Sequence, residues 1–429
     1  MLDIKLFREN PDVIRNDLKK RGDNEKIKWV DEVIKLDNEW RTLIKKRDDL
    51  KSVRNTVSKQ IGTIKEAKEK QKKINEMTKN NDEIDKFEKE IETNRERTQY
   101  LLDRFPNILD ASVPVGKDDS ENKEIRVWGK KTSFKFKPKS HQEICELNDW
   151  YDIERGAKVA GARNYFLKNS LARLEFAIAT YAIDFLRSRG FTFMVPPYMC
   201  YKKCFYGTGY LPAGEADLYN IKFEGQDMSL IGTSEVPLAS YHMDETLLSS
   251  DMPKKYCGYS ACFRTEAGSH GKDTKGIFRV HQFNKVEMVI LSKPEDSKAM
   301  HELLIKTAEE FWQSLEIHYH VVNICTGDIG VGAAKKYDIE AWLPGQEKFR
   351  EIVSCSNMTD YQARRLNIKY RMENGKPPEG FVHTLNSTCV ATVRALVAVI
   401  ENYQEADGSV KIPAVLVPYM GGIKKIGKD

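Results

Sequence analysis

The sequence predicts an α+β fold in which a long antiparallel helical coiled-coil hairpin precedes a larger domain of mixed strands and helices. Three observations support it: a proline-free, heptad-patterned stretch over residues 12–105, a proline- and glycine-containing linker near 106–120, and alternating strand and helix patterns beyond it. With 429 residues, the chain is long enough for two or three domains. We expect an N-terminal domain over 1–110, with its hairpin over about 27–100, and a second domain over 111–429.

The N-terminal stretch carries two series of apolar residues at alternating spacings of four and three. The first series is Leu36, Trp40, Leu43, Leu50, Val57, Ile61 and Ile64, with Arg47 at a skipped position, and the second is Ile74, Met77, Ile84, Phe87 and Ile91. This spacing predicts two long helices that pack along an apolar seam. A reversal around Gly62 to Lys70 would make them an antiparallel hairpin. One continuous helix in an intermolecular coiled coil is the alternative.

The first helix of the hairpin is more basic than the second. The cations that we select as candidate nucleic-acid contacts are Arg41, Lys45, Arg47, Lys51, Arg54 and Lys59. Charges on the outer face of a coiled coil are usually only solvated. A basic helical arm also fits a phosphate backbone, so the pattern leaves both interpretations open.

Composition argues against a secreted or membrane protein. The charges that interrupt any apolar run at the N-terminus are Asp3, Lys5, Arg8 and Glu9, and we find no apolar stretch of spanning length. The eight cysteines are scattered, which suits a reducing compartment. Zinc sites at Cys200 with Cys204, or Cys257 with Cys262, would have unusual spacings, so we expect buried thiols. These features predict a cytoplasmic protein without membrane contact.

Two strand-like segments, Cys262 to Ser269 and Arg279 to Glu287, flank a polar loop in the second domain. Strict alternation over 277–291 predicts an apolar face of Phe278, Val280, Val286, Met288 and Ile290, and an opposite face of Arg279, His281, Phe283, Lys285 and Glu287. A ring that stacks on a base, beside guanidinium groups that bind phosphate, favours a nucleotide site. The loop over 267–276 has the composition of a long, mobile hairpin turn.

Two further segments carry candidate site residues. Arg394 is the one full charge in the apolar stretch 382–400, where it is costly unless it is paired or binds an anion. Glu351 and Ser354 lie in a strand-like run, and alternation would place them on opposite faces. A bulge between them is therefore required if both serve one site. In the run 230–235, Thr233 and Glu235 are predicted to lie on one face of a strand.

The segments Phe263 to Ser269 and His281 to Glu287 resemble motif 2 of the class II aminoacyl-tRNA synthetases, and in detail that of the seryl-tRNA synthetase family. The likeness covers essentially the whole chain. The stretches 171–197 and 382–400 resemble motifs 1 and 3, although the glycines of motif 3 are partly missing. The runs 354–365 and 385–388 are similar to the eukaryotic cytosolic pattern. The resemblance implies a catalytic domain built on an antiparallel β-sheet flanked by helices, and a homodimer.

The resemblance also implies the roles of individual residues. Catalysis would rest on Arg264, Arg394 and Glu351. ATP would be bound by Arg264, Thr265, Glu266, Arg279, Phe283, Glu351, Ile352, Val353, Ser354 and Arg394. Serine would be bound by Thr233, Ser234, Glu235, Arg264, Glu287, Asn386 and Thr388. Glu351 and Ser354 would hold Mg²⁺ with the ATP, since hard oxygen ligands and substrate phosphates suit this ion.

The implied reaction is the activation of L-serine by ATP to seryl-adenylate, followed by transfer to the 3′ end of tRNA-Ser. The long variable arm of that tRNA would bind the coiled coil, and tRNA-Sec is left open as a second acceptor. Another class II synthetase or an adenylating paralogue would share the nucleotide site. A binding-only scaffold is disfavoured by the presence of Arg264, Glu351 and Arg394. The His-Ile-Gly-His and Lys-Met-Ser-Lys-Ser signatures of class I synthetases are absent from the sequence.

Overall fold

The computed structural model describes residues 1–61, 63–268, 273 and 275–428. The chain divides into two compact units, Leu2–Phe105 and, together with Met1, Pro106–Asp429. None of the described helices is long and apolar enough to cross a membrane. The cysteine side chains are all free and buried, as the sequence predicts.

The first unit is helical. Its helices are α1 (Ile4–Glu9), α2 (Pro11–Lys20), α3 (Asn24–Ile61) and α4 (Ala67–Leu102). The amide of Asn94 donates to the carbonyl oxygen of Leu36 at 3.1 Å, and that of Asn80 donates to Leu50 at 3.2 Å. As the contact position advances along α3 from residue 36 to residue 50, its partner in α4 moves back from residue 94 to residue 80, so the two helices are antiparallel. The predicted helical hairpin is therefore confirmed.

The apolar seam and the reversal differ from their predictions in detail. Trp40 and Ile74 remain 36% and 39% exposed. The seam also includes the buried polar side chain of Asn94, which bonds Leu36 of the facing helix, so a heptad of apolar residues does not describe it fully. The reversal is also shorter than predicted, because α4 begins at Ala67; Gly62, where we place the start of the reversal, lies outside the described residues.

The second unit mixes helices and strands, which confirms the α+β prediction. Its helices are α5 (His141–Leu147), α6 (Ile153–Ala160), α7 (Asn169–Arg187), α8 (Lys202–Thr208), α9 (Glu235–Ala239), α10 (Ser297–Ser314), α11 (Tyr361–Leu366) and α12 (Thr392–Asn402). Its strands are β1 (Lys123–Trp128), β2 (Tyr151–Asp152), β3 (Phe166–Leu167), β4 (Thr192–Met194), β5 (Met199–Tyr201), β6 (Asn220–Phe223), β7 (Gln226–Leu230), β8 (Thr246–Leu248), β9 (Lys254–Phe263), β10 (Gln282–Ser292), β11 (Tyr319–Asn323), β12 (Lys335–Leu343), β13 (Lys348–Thr359), β14 (Lys369–Arg371), β15 (Gly380–Phe381), β16 (His383–Ala391), β17 (Val410–Lys411) and β18 (Lys425–Ile426).

The main sheet has the strand order β1-β11-β12-β13-β16-β10-β9-β4. Neighbouring strands are antiparallel except β4, which runs parallel to β9. Alternation along β10 sends Val286, Met288 and Ile290 into the hydrophobic core, which also includes side chains of α7, α10 and α12. Lys285 and Glu287 point to the opposite face, so one side of the sheet is core and the other carries the polar residues.

Several element boundaries correct the sequence interpretation. The strand predicted over 277–291 begins only at Gln282, and residues 277–281 approach it as an irregular segment. The apolar stretch 382–400, which resembles motif 3, consists of strand β16 followed by most of helix α12, which begins at Thr392. In the loop predicted over 267–276, residues 269–272 and 274 lie outside the described part of the chain. Hydrophobic periodicity alone does not predict where one element ends and the next begins within a continuous apolar stretch.

Candidate active site

A cavity of about 360 Å³ opens on the polar face of the main sheet. The predicted site residues that line it are Glu235, Arg264, Glu266, Arg279, Phe283, Glu287, Glu351, Ile352, Ser354, Asn386, Thr388 and Arg394. They come from the start of α9, from β10 and the segments that follow β9 and precede β10, from β13, from β16 and from the first turn of α12. Segments far apart in sequence therefore contribute to one concave site, which is the usual form of a small-molecule site.

Arg264 lies just after β9, and its guanidinium lies beside an aromatic ring. Its Nε donates to the carbonyl oxygen of Gly232 at 3.2 Å, and its guanidinium carbon is 5.4 Å from the centre of the Phe283 ring. Arg279 approaches from the other side of the loop and binds Glu266 at 2.5 Å. These contacts place two guanidinium groups and a flat ring within one cavity.

Arg394 lies in the first turn of α12, where the chain leaves β16. It donates to the carbonyl oxygen of Glu351 at 2.8 Å and lies 3.2 Å from the carboxylate of the same residue. Partial burial opposes ionisation of Glu351, but the charges of Arg394 and Lys336 overcome this and hold the pKa of Glu351 well below its ordinary value. The arginine is thus both ion-paired and exposed to the cavity.

The bulge that the sequence requires is present in β13. Ile339 of β12 pairs with Val353 whereas Glu340 pairs with Glu351, so Ile352 is the extra residue. As a result both Glu351 and Ser354 face the cavity. Next to them, burial raises the pKa of Asp338 above its ordinary value, even though Lys336 lies 3.1 Å away.

The other end of the cavity contains two buried carboxylates bridged by an amide. Glu287 accepts hydrogen bonds from Asn386 and from Thr388, each at 3.1 Å. Glu235 accepts from Gln362 at 2.8 Å and from the same Asn386 at 3.2 Å. A small cation that lies between these two carboxylates would form charge-assisted hydrogen bonds with both of them.

Four predicted binding residues lie outside the cavity lining of the described chain: Thr233, Ser234, Thr265 and Val353. Thr233 and Glu235 do not share a strand face, since β7 ends at Leu230 and Glu235 begins α9, which corrects the prediction. Thr265 donates its hydroxyl to the carbonyl oxygen of Ala216 at 2.6 Å. Thr233 and Glu235 lie at a turn, because the backbone reverses direction between β7 and α9. An alternating sequence pattern does not indicate where such a turn occurs.

The cavity is also lined by ionisable residues that the sequence did not predict as site residues, among them Tyr210, Lys285 and Lys336. Lys285 could have been predicted from the sequence, because it lies two positions before Glu287 and therefore on the same face of the strand. Tyr210 lies in an irregular segment after α8, where no pattern marks its direction. Lys336 is on β12. The alternation of that strand predicts which side chains share a face of the sheet, but it does not predict that the cavity lies on that face.

The candidate nucleic-acid residues of α3 fall into three groups. Lys45 and Lys59 are exposed. Arg41, Arg47 and Lys51 form ion pairs with Asp37, Asp48 and Glu88, at 3.3, 2.6 and 2.6 Å. Arg54 is half-buried. Ion pairs on an exposed arm contribute little free energy, so these side chains can exchange partners at low cost.

Stability should depend on pH through Glu235. Burial and the charge of Glu287 raise the pKa of Glu235 to about 7, against an ordinary value of 4.5. The folded state therefore binds the proton more tightly, and stability falls as pH rises from 4.5 towards and through 7. We expect Glu235→Gln to gain about 2 kcal/mol in free energy of unfolding relative to wild type between about pH 5.5 and 8.5. Urea titrations followed by tryptophan fluorescence measure this difference.

The matched control is Glu154→Gln, which changes an exposed carboxylate of α6. Its free energy of unfolding should track that of wild type at both pH values. A Glu235→Gln difference that is independent of pH would contradict the raised pKa.

Comparisons with known proteins place this site in a family. Residues 219–403 match the model of the tRNA synthetase class II core domain (G, H, P, S and T), and residues 1–109 match that of the Seryl-tRNA synthetase N-terminal domain. The fold and the site thus define a class II aminoacyl-tRNA synthetase.

The serine–tRNA ligase of Thermococcus onnurineus is 50% identical over 98% of this chain and 96% of its own, and that of Methanocella arvoryzae is 48% identical over 99% and 100%. The crystal structure of seryl-tRNA synthetase from Pyrococcus horikoshii complexed with ATP has a TM-score of 0.93 at 48% identity, covering both chains fully. The cytoplasmic serine–tRNA ligase of Naegleria fowleri, in complex with AMP, has a TM-score of 0.88 at 39% identity, covering 100% and 99%. The chain belongs to the seryl-tRNA synthetase family.

Proposed function

We propose that this protein activates L-serine with ATP to form seryl-adenylate and then transfers the seryl group to tRNA-Ser. One observation carries the proposal: Arg264, Arg394 and Glu351 line the same cavity as the Glu235 and Glu287 carboxylates. The first three residues suit the binding of a triphosphate, and the Glu235 and Glu287 carboxylates suit the binding of an amino acid's ammonium group. Both ends of an aminoacyl-adenylate are therefore provided for in one site.

In the first step an oxygen of the serine carboxylate attacks the α-phosphorus of ATP, and the bond to pyrophosphate breaks. Arg264 is proposed to bind the α-phosphate, while Phe283 stacks on adenine and Glu266 lies on the adenine side. Arg279 and Arg394 are proposed to hold the β- and γ-phosphates. Catalysis then depends on alignment and on positive charge near the pentacoordinate phosphorus, without a general base.

The residues beside Arg394 fit a magnesium ion. Glu351 and Ser354 present a carboxylate and a hydroxyl to the cavity, and Asp338 Oδ1 is buried without a hydrogen-bond partner in the described structure. Hard oxygen donors of this kind are what Mg²⁺ prefers. When bound with ATP, the ion would neutralise phosphate charge. Glu351, held ionised by its cationic neighbours, and Ser354 are proposed as its protein ligands.

In the second step a 3′-terminal ribose hydroxyl of the tRNA attacks the seryl carbonyl carbon and AMP leaves. The α3–α4 hairpin is proposed to bind the long variable arm of tRNA-Ser, chiefly through phosphate contacts of Arg41, Lys45, Arg47, Lys51, Arg54 and Lys59. The domain over 1–110 would thus select the tRNA and the domain over 111–429 would carry out the chemistry. Phosphate contacts of this kind are strongly salt-dependent.

A homodimer in the cytoplasm is also part of the proposal. Phe176 of α7 is 67% exposed and Val195, just after β4, is 64% exposed, and a dimer interface would bury apolar side chains of this kind. These residues lie in the stretch that resembles motif 1. The free, buried cysteines support a reducing compartment.

The magnesium requirement should depend on Glu351. We expect Glu351→Gln to raise the Mg²⁺ concentration needed for half-maximal activation at least about tenfold, because a ligand is lost together with its charge. The measurement is serine-dependent ATP–pyrophosphate exchange at varied Mg²⁺. Glu340→Gln, which changes its paired neighbour on β12 outside the cavity lining, is the control and should retain the wild-type dependence. An unchanged requirement in Glu351→Gln would reject the ligand role.

The function itself is tested by ATP–pyrophosphate exchange with each proteinogenic amino acid in turn. Serine alone should support fast exchange, and charging should be confined to tRNA with a long variable arm. Exchange that is faster with another amino acid would favour a different class II specificity. Failure of exchange with every amino acid would favour a protein that binds without turnover.

A further inference from the structure

Lys285 is a buried cation at the amino-acid end of the cavity. It is 5% exposed and lies on β10, two positions before Glu287, so both side chains point to the same face. Its Nζ lies 2.6 Å from Glu287 Oε2 and donates to Thr233 Oγ1 at 2.7 Å. Both partners belong to the proposed serine pocket, yet one of them, Thr233, lies behind the cavity lining. A buried ammonium is costly unless it is paired in this manner.

Glu287 is fixed by these contacts on both oxygens. Oε2 accepts from Thr388 and pairs with Lys285, and Oε1 accepts from Asn386. Two of these contacts come from the neighbouring strand β16 and the third from β10 itself, so the carboxylate is held in one orientation. Because Lys285 is the cation among them, its loss would leave a buried carboxylate without its compensating charge.

Charge balance at this end of the cavity depends on Lys285. The ionisable groups that line it are the carboxylates of Glu235 and Glu287, the ammonium of Lys285, the phenol of Tyr210 and the guanidinium of Arg264. If Arg264 serves the phosphate, two negative groups face one positive group once the pH exceeds the Glu235 pKa of about 7. The α-ammonium of an amino acid supplies the missing charge. Within the described structure the Glu287 carboxylate contacts Lys285, Thr388 and Asn386, so neither the guanidinium nor the phenol replaces Lys285.

We propose that Lys285 is a positioning residue for serine: it fixes the Glu287 carboxylate in place and leaves the pocket short of the one positive charge that the substrate ammonium brings. This inference rests on the proposed function. It differs from a role in phosphate binding, since the Nζ contacts lie on Glu287 and Thr233. It also differs from a purely structural role, because it acts through Glu287.

The test uses the full-length protein and a non-hydrolysable sulfamoyl analogue of seryl-adenylate, with binding measured by calorimetry. Lys285→Met should weaken the analogue by about a hundredfold or more, the change expected when one partner of a buried ion pair is removed. Binding of ATP alone should stay within about threefold of wild type. A tenfold loss of ATP affinity would identify a phosphate ligand and overturn the proposal.

A double-mutant cycle separates positioning from general damage. In the Glu287→Gln background, adding Lys285→Met should cost less than about threefold further, because the carboxylate that it positions is already gone. Multiplicative losses would overturn the proposal. Lys285→Gln, which keeps a hydrogen-bond donor but no charge, serves if the methionine variant fails to fold, and an analogue affinity near wild type would equally overturn it. Wild-type protein that fails to bind the analogue would reject the proposed function, whereas an unaffected Lys285→Met would reject only this inference.

Discussion

Replacing Arg264 by alanine is expected to lower serine-dependent ATP–pyrophosphate exchange by at least about a thousandfold. The proposed contact of its guanidinium with the α-phosphate strengthens as charge develops in the transition state, and single donors or arginines in such positions have effects of this order. The side chain also lies against the Phe283 ring. Its removal would therefore loosen the proposed base-stacking end as well as the phosphate end.

The matched control for this variant is Arg155→Ala. Arg155 is an exposed arginine of α6 whose partner is Asp152 at 2.6 Å. It should retain exchange within about twofold, since exposed ion pairs contribute little. Arg264→Lys keeps a charge but not the planar fork, and we expect it to recover only part of the loss. Exchange by Arg264→Ala near the wild-type rate would remove this residue from the mechanism.

Shortening the helical arm should separate the two steps of the reaction. We propose excising residues 43–87 and joining the ends with a short Gly-Ser linker. Residues 36 and 94, and 50 and 80, are opposite each other, so 43 and 87 are expected to lie at one level of the hairpin. The buried residues at its base, including Val30, Val33 and Leu101, are retained. Exchange should stay within about threefold of wild type, while charging of tRNA-Ser should fall at least about a hundredfold.

Charge substitutions in the full-length protein test whether the positive charge of α3, rather than the length of the arm, is responsible for tRNA binding. Changing Lys45, Arg54 and Lys59 of α3 to glutamate should weaken tRNA binding and flatten its dependence on salt. Changing Lys79, Lys86 and Lys89 of α4 to glutamate alters the same number of charges on the other helix and should have a smaller effect. Equal loss of exchange and charging in the excised protein would contradict a separable arm. Equal effects of the two charge sets would contradict a tRNA-binding face on α3.

Much of the fold followed from periodicity and composition. The long α3–α4 hairpin is specified locally, because heptad spacing and the absence of proline leave few alternatives. The alternating residues of β10 also predicted correctly which side chains enter the core. At Trp40, by contrast, the pattern predicted burial and the side chain is 36% exposed, and the polar Asn94 occupies part of the seam.

The site was predicted less completely, for a physical reason. Residues on strands with a clear alternation, such as Glu287 and Phe283, reach the cavity as expected. Thr233 does not, because the chain turns between β7 and α9, and a turn has no periodic signature. The partners of a buried charge are also non-local. That Lys285 contacts Thr233, fifty-two positions away, can be seen only once the strands are assembled.

The most direct measurement is a crystal structure of the protein with ATP, Mg²⁺ and serinamide, which lacks the attacking carboxylate. The account predicts one bent nucleotide in the cavity, with the Arg264 guanidinium on the α-phosphate, the Arg394 guanidinium on the γ-phosphate, and the substrate ammonium at Glu287. Nitrogen–oxygen distances of about 3 Å are expected for both arginines. A nucleotide bound elsewhere, or an Arg394 still engaged only with Glu351 and remote from the triphosphate, would contradict it.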